Sequence, residues 1–184
     1  MRLLRSLPVP AVLSLLLLSS CSAPPPAPQV RELHQEVSQL NQQMRHLTRR
    51  AGALEQQGQL NSRSTQGAWL VPGSATPVDL ETQLGTLRLA LLNVSAEANG
   101  SQASLVIRSA DDKPVPALSA TVVWGESDPA SGQPLAADSL SQRISVPASL
   151  MPRSTVTVPL HLSGLTPDRL GYVRVHEVTA DAAP

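Results

Sequence analysis

The stretch STVTVPLHL, residues 154–162, decides the class of fold because its aliphatic residues alternate with Thr, Pro and His. The four aliphatic residues that share one face of an extended chain are Val156, Val158, Leu160 and Leu162. Successive side chains of a strand point to opposite faces, so this period of two predicts a strand with one buried face. Pro159 offers no N–H to a neighbouring strand, and we therefore expect this strand at a sheet edge or at a bulge.

Seven further segments rich in β-branched residues precede and follow it, and turn signals separate them. They are residues 68–71, 78–81, 86–94, 104–109, 120–126, 141–146 and 171–178, and Leu87, Leu89 and Leu91 alternate within the third. No helical pattern of ten residues lies between these segments. The pattern predicts a mainly β domain over residues 68–184, an antiparallel β-sandwich that is immunoglobulin-like or related. Aromatic residues make up only 2% of the chain, so its core must be aliphatic.

Upstream of the predicted sandwich, over residues 30–60, the apolar period changes from two to alternating steps of three and four. The apolar positions are Val30, Leu33, Val37, Leu40, Met44, Leu47, Ala51 and Leu54, which we call the seam. Such a heptad pattern predicts an amphipathic, coiled-coil-like helix. Valine at the first a positions with leucine at every d position favours a parallel homodimer. Residues 61–67 are predicted to be a linker.

Three interpretations of the seam remain open from the sequence. It can join copies of the chain, it can pack against the chain's own domain, or it can belong to a largely independent stalk. About three and a half heptads would be marginal as an isolated helix, because helix nucleation is unfavourable. Tethering to a membrane would raise the effective concentration of the helices and favour self-association.

The N-terminal residues 1–20 predict an export signal, since two arginines precede an apolar run too short to span a bilayer. Leu18, Ser19 and Ser20 then match the bacterial lipoprotein signal that precedes a modified cysteine. That match implies a diacylglyceryl thioether on Cys21, cleavage before it, and acylation, typically with palmitate, of the new amino terminus. An ordinary secretory signal with an incidental thiol, or an uncleaved anchor, is the alternative. The position of the chain's single cysteine at the end of the apolar run favours lipidation.

Residues 21–29 combine the cysteine with four prolines, and this composition predicts an extended tether. Ser22 follows the lipidation site directly. In the best-studied lipoprotein sorting system, aspartate at that position favours retention in the inner membrane. Serine at this position therefore resembles a sorting signal for the outer membrane. We expect a lipid-anchored protein of the bacterial outer membrane that faces the periplasm.

The charge balance argues against nucleic-acid partners. The 14 basic and 14 acidic residues cancel, and removing residues 1–20, which contain two arginines and no acid, leaves 12 basic residues against 14 acidic ones. This composition offers no electrostatic footprint for phosphate backbones. A single cysteine also cannot form an internal disulfide or a CxxC metal motif.

A search for catalytic chemistry yields only His161 and His176 as weak candidates within the predicted sandwich. Each lies in an alternating strand, where a histidine that is hydrogen-bonded or solvent-facing is more common than a catalytic one. The chain contains no GxSxG, HExxH, phosphate-loop or dinucleotide motif. We therefore predict no enzymatic activity, no cofactor and no metal site. A hydrolase or metal protein that uses both histidines is the alternative.

Three stretches of the chain resemble a known family, the YajI-like lipoproteins of Gram-negative bacteria, catalogued as a domain of unknown function. They are residues 60–94, residues 170–178 and the EVSQLNQQM segment at 36–44. The resemblance implies an envelope lipoprotein with a C-terminal β-rich domain, and it supplies no catalytic residues. We expect a non-catalytic module that binds an envelope protein or polymer, or a structural lipoprotein that oligomerises through its helix.

Overall fold

The computed structural model describes residues 28–146 and 150–181. The predicted signal peptide, Cys21 and the tether as far as residue 27 lie outside the described residues. The chain divides into two compact units, Met1–Leu40 and Asn41–Pro184. In the first unit, the described residues are those of the beginning of a helix. The second unit contains the end of that helix and the β-strands.

Helix α1 spans Pro28–Ser62 and exceeds the predicted helix by two residues at each end. Proline suits the first position of a helix because its missing N–H would have no intrahelical acceptor there. The helix continues through Gly58, where a Cβ atom would meet nothing within 4 Å. Residues 63–67 remain as the connection to the first strand. Among the described helices, none is both long and apolar enough to cross a membrane.

Eight strands follow α1 within the described residues, and each corresponds to one of the predicted segments. They are β1 (Ala68–Leu70), β2 (Val78–Thr82), β3 (Gly85–Glu97), β4 (Gly100–Ser109), β5 (Leu118–Gly125), β6 (Leu140–Val146), β7 (Thr155–Ser163) and β8 (Tyr172–Ala180). All the pairings are antiparallel, in two sheets of order β1-β8-β5-β6 and β2-β3-β4-β7. A single 3₁₀ turn, Ala136–Asp138, precedes β6 in this part of the chain.

The two sheets bury one shared aliphatic cluster, which confirms the predicted antiparallel sandwich. Fully buried side chains come from both sheets, with Leu105 and Leu160 on one and Leu118 and Val122 on the other. Of the aromatic residues, Trp124 and Tyr172 are buried, and Trp124 donates its indole N–H to the carbonyl of Ser163 at 3.1 Å. The side chains that make up the core are therefore mostly leucine and valine.

Strand β7 lies at the edge of its sheet, as Pro159 predicts. Leu160 and Leu162 on this strand are fully buried, and Val156 and Val158 pack against the core with partial exposure. An edge strand uses only one of its two hydrogen-bonding sides, so the missing N–H of a proline costs little there.

Candidate functional site

The seam of α1 is exposed along its whole length in the described chain. Ten large apolar side chains are exposed among the described residues, and seven of them belong to the seam. Their exposed fractions run from 41% at Val30 to 64% at Leu47, and Ala51 is exposed as well. Contiguous apolar exposure of this kind marks an interaction surface more often than scattered apolar residues do.

A different face of α1 packs on the sandwich within the second unit. Leu60 and Gln57 are buried, and Ala53, Gln56 and Asn61 are half-buried beside them. With 3.6 residues per turn, Leu60 lies about 120° around the helix axis from Leu54 of the seam. The seam and the packing face are therefore separate, and the interpretation in which Met44, Leu47, Ala51 and Leu54 pack on the sandwich does not hold.

Two amide side chains of α1 bind the free edge of β1, and we call this arrangement the amide clamp. Asn61 accepts the Trp69 N–H at 3.0 Å and donates to the Trp69 carbonyl at 2.7 Å. Gln57 accepts the Val71 N–H at 3.0 Å and donates to the Thr76 carbonyl at 2.9 Å. Asn61 thus satisfies the backbone groups that Trp69 turns away from β8, and Gln57 satisfies two backbone groups of the segment that follows β1.

The spacing of the clamp follows from the geometry of the two elements it joins. Residues four apart on a helix are separated by about 6 Å along its axis, and residues two apart on a strand by about 6.8 Å. Gln57 and Asn61 therefore match the outward-facing backbone groups of Trp69 and Val71. Asn61 also occupies a d position of the heptad pattern. Its side chain binds β1, so the apolar seam does not continue to this position.

The amide clamp joins the last turns of α1 to the sandwich within the unit Asn41–Pro184. Part of the predicted stalk belongs to the sandwich unit, because its amide side chains and the buried Leu60 cover one side of β1. Gln56 adds a hydrogen bond to the carbonyl of Gly132 at 2.9 Å. Sequence reasoning missed these residues, since glutamine and asparagine are ordinary on an exposed helix face. The signal available was a pair of amides at i and i+4 just after the heptads.

The two histidines of the sandwich lie on different sheets and do not form a joint site. His161 on β7 is exposed and places Nδ1 3.0 Å from a carboxylate oxygen of Glu97. His176 on β8 is half-buried, with Nδ1 3.7 Å from Glu177. In the described ranges, no group of three or more His, Cys, Asp or Glu side chains could hold a metal ion.

Asp181 connects the end of the chain to two strands of the first sheet. The Ser119 hydroxyl donates to one of its carboxylate oxygens and the Ser145 hydroxyl donates to the other at 2.8 Å. These hydrogen bonds, that of Ser119 first, lower the pKa of Asp181 because they favour the charged form. A hydrogen bond from the Ser131 backbone lowers the pKa of Asp128 in the same way. A hydrogen bond from Arg88 lowers the pKa of Asp79.

Acidification is therefore expected to destabilise the sandwich partly through Asp181. Its folded pKa lies below the unfolded value of about 3.9, so its contribution is complete above that value and is lost as pH falls through the folded pKa. Urea unfolding from pH 6 downward measures this loss. The Asp181→Asn variant should lose less stability than the wild type over the acid range. Parallel profiles for the two proteins would exclude Asp181 as a contributor.

The fold and its surfaces define a two-sheet β-sandwich protein with an N-terminal helix that carries an exposed apolar seam. The chain belongs to the family described as "Protein of unknown function (DUF3251)", whose model matches residues 25–184. It is 38% identical over 150 residues to the uncharacterized lipoprotein YajI of Escherichia coli strain K12, covering 82% of this chain and 84% of the relative. The predicted resemblance to YajI-like lipoproteins is confirmed.

Two solved structures are similar to this fold. The solution NMR structure of the Escherichia coli lipoprotein YajI has a TM-score of 0.68 and 36% sequence identity, covering 73% of this chain and 80% of that one. The trimeric lipoprotein SadB of Salmonella enterica has a TM-score of 0.55 and 20% identity, over 83% and 86% of the two chains. The second likeness concerns the fold alone.

Proposed function

We propose that this protein is a lipid-anchored envelope lipoprotein that self-associates through α1 and presents its β-sandwich as a non-catalytic binding or adaptor module. The observation that carries the proposal is the exposed seam. An apolar stripe on a helix that already packs on its own domain through another face has no partner in the described chain. A second copy of the same chain supplies a matching stripe.

Lipid anchoring is supported by the lipoprotein motif that ends at Cys21 and by the relative, which is named a lipoprotein. Ser22 supports anchoring in the outer membrane, where we expect the protein to face the periplasm. The anchor also favours one geometry of self-association. Chains attached by their N-termini to the same membrane surface start their helices from the same side, so a parallel arrangement brings the seams into register.

The charges beside the seam are compatible with a parallel, in-register pairing. In a parallel coiled coil, a g residue of one helix faces the e residue five positions later on its neighbour. Arg50 occupies a g position and Glu55 the matching e position, and both are exposed. Opposite charges would therefore meet across each such interface.

Two assemblies are supported, a dimer and a trimer. Val30 and Val37 at a positions, with leucine at d, favour two strands. The structurally similar SadB is described as trimeric. The molecular mass of the assembly distinguishes a dimer from a trimer, and either state agrees with the proposal.

Sedimentation equilibrium of the unlipidated mature chain, residues 21–184 with Cys21→Ser, tests self-association. The wild-type seam is expected to give a mass of two or three chains that falls on dilution. The Leu40→Asp, Leu47→Asp variant should be monomeric, because charged residues at two d positions cannot be buried without large desolvation costs. Far-UV circular dichroism should show a matching loss of helicity on dilution.

Gln35→Asp, Gln42→Asp is the matched control, since it places the same substitutions seven residues apart on the polar face of α1. It should associate like the wild type. A wild-type chain that stays monomeric both in solution and when tethered to vesicles, with chemical cross-linking as the readout on vesicles, would contradict the proposal.

The binding or adaptor role of the sandwich is the second candidate function. A pocket beside the amide clamp favours it, with Arg63 and Arg174 in its lining. A non-catalytic role is supported by the separation of His161 and His176 on different sheets. Replacing both histidines by glutamine should leave every cellular phenotype of the protein intact, and a lost phenotype would argue for the hydrolase or metal-protein alternative.

A further inference from the structure

A pocket of about 360 Å³ lies between the end of α1, the start of β1 and the loop that contains Gln133 and Pro134. Arg63 and Arg174 contribute guanidinium groups to its lining, and none of the lining residues is acidic. This size falls at the lower end of the range for small-ligand pockets.

The two arginines differ from most other arginines of the sandwich in lacking a carboxylate partner. Arg88, Arg153 and Arg169 each pair with an aspartate or glutamate. Within the part of the chain that the structure describes, Arg63 makes no hydrogen bond or ion pair. Arg174 donates Nε and Nη2 to the carbonyl of Gln66, at 3.2 and 2.7 Å, which leaves Nη1 without an acceptor in the described residues.

Arg174 packs against the aromatic side chain of Trp69. Its guanidinium carbon lies 5.0 Å from the centre of the Trp69 ring, and Trp69 in turn contacts Tyr172 with the ring centres 5.1 Å apart. The Asn61 side chain forms hydrogen bonds with both the N–H and the carbonyl of Trp69. A donor held in place before binding loses little conformational freedom when a ligand arrives. The position of the Nη1 donor is therefore preorganised.

The remaining lining residues suit a ligand that is partly polar and partly apolar. The Thr65 hydroxyl and the side-chain amide of Gln133 have no hydrogen-bond partner among the described residues, and Leu60 and Pro134 add apolar surface. Planar guanidinium groups pair with carboxylates through parallel N–H donors. An amide and a hydroxyl can pair with peptide groups.

We propose that this pocket binds the free carboxyl terminus of a short peptide. Arg63 and Arg174 bind the carboxylate, Gln133 and Thr65 bind the last peptide groups, and Leu60 and Pro134 contact a small terminal side chain. Cell-wall peptides and protein C-termini share this chemistry, and the envelope location that brings them near rests on the proposed function. The binding itself requires neither the lipid nor self-association, so the two proposals fail separately.

Titration of the ¹⁵N-labelled unlipidated mature chain with N-acetyl-Ala-Ala-Ala tests the site. The indole N–H signal of Trp69 should shift saturably, whereas that of the buried Trp124, bonded to Ser163, should not. The same peptide with a C-terminal amide should bind at least roughly tenfold more weakly, since hydrogen bonds to a charged group are stronger than those to a neutral one. Saturable binding of the acid with weak binding of the amide supports the proposal.

Arg63→Gln and Arg174→Gln should each weaken binding by roughly tenfold or more for the same reason. Arg108→Gln is the matched control, because Arg108 is an exposed arginine on the other sheet, and it should bind like the wild type. Equal binding of acid and amide, equal effects of Arg63→Gln and Arg108→Gln, or tighter binding of inorganic phosphate than of the peptide would each overturn the proposal.

A second peptide, ending in two D-alanines, separates the sources of the ligand. Tighter binding of the D-terminated peptide supports the proposal with a cell-wall peptide as ligand. Tighter binding of the all-L peptide supports it with a protein C-terminus as ligand.

Discussion

Replacing Cys21 by alanine is expected to abolish incorporation of labelled palmitate into the protein completely. The thioether to the lipid needs a thiol, and Cys21 is the only cysteine of the chain. Each buried methylene contributes about 0.8 kcal/mol to membrane binding, so one acyl chain holds marginally whereas two or more hold stably. Three chains at one residue would make attachment effectively permanent.

The measurement is palmitate labelling followed by detergent-phase partition and intact mass. Wild-type protein should partition into the detergent phase with a mass that equals residues 21–184 plus the acyl groups. Ser22→Ala is the matched control, because it changes the neighbouring residue and keeps the thiol. Labelled palmitate on the Cys21→Ala protein would place the modification elsewhere and refute the assignment.

Breaking the amide clamp at Gln57 is expected to cause a large loss of folding stability. Gln57→Ala leaves the Val71 N–H and the Thr76 carbonyl without partners, and Gln57 is only 4% exposed, which limits rescue by water. A buried polar group left unsatisfied costs about 1–3 kcal/mol. We expect a loss of about 2–4 kcal/mol in the free energy of unfolding.

Urea unfolding monitored by tryptophan fluorescence measures this loss. Gln59→Ala is the matched control, since Gln59 lies two residues further along the same helix and is exposed. Both substitutions exchange glutamine for alanine, so their gain in helix propensity is the same and the difference between them reports the clamp. The control should change stability by less than about 0.5 kcal/mol. Equal effects of the two substitutions would refute the clamp as a stabilising feature.

Asn61→Ala should cost less than Gln57→Ala, about 1–2 kcal/mol, because Asn61 is half-buried and water can reach part of its site. The two costs should also not add fully, since both residues bind one edge strand from one helix. The clamp therefore acts as one unit that fixes how the end of α1 lies on β1.

The strands were predictable because each carries its own local pattern. The alternation in residues 154–162 and at Leu87, Leu89 and Leu91 places leucines on one face whatever the partners are, and the core contains those leucines. Pro159 similarly indicated an edge strand from a single missing N–H. The order of strands within the sheets was not predictable, since pairing depends on contacts between segments distant in sequence.

One face of α1 was likewise predictable from the sequence, and another was not. The heptad repeat alone identified the seam, because its eight residues share one helix face at a regular spacing. Gln57 and Asn61 are marked in the sequence only as a pair of amides at i and i+4, and their role requires the free edge of β1 beside them. Arg63 and Arg174 likewise meet in one pocket only after β8 has paired with β1.

By itself, the sequence determined the features that depend on neighbouring residues, a heptad helix and eight strands, and it predicts lipidation at Cys21. The tertiary structure alone decided which face of α1 packs on the sandwich and which residues form the pocket. The physical reason is that an apolar period acts along one element. A hydrogen bond from an amide or a guanidinium needs a partner atom within about 3 Å, and only the folded chain brings that atom there.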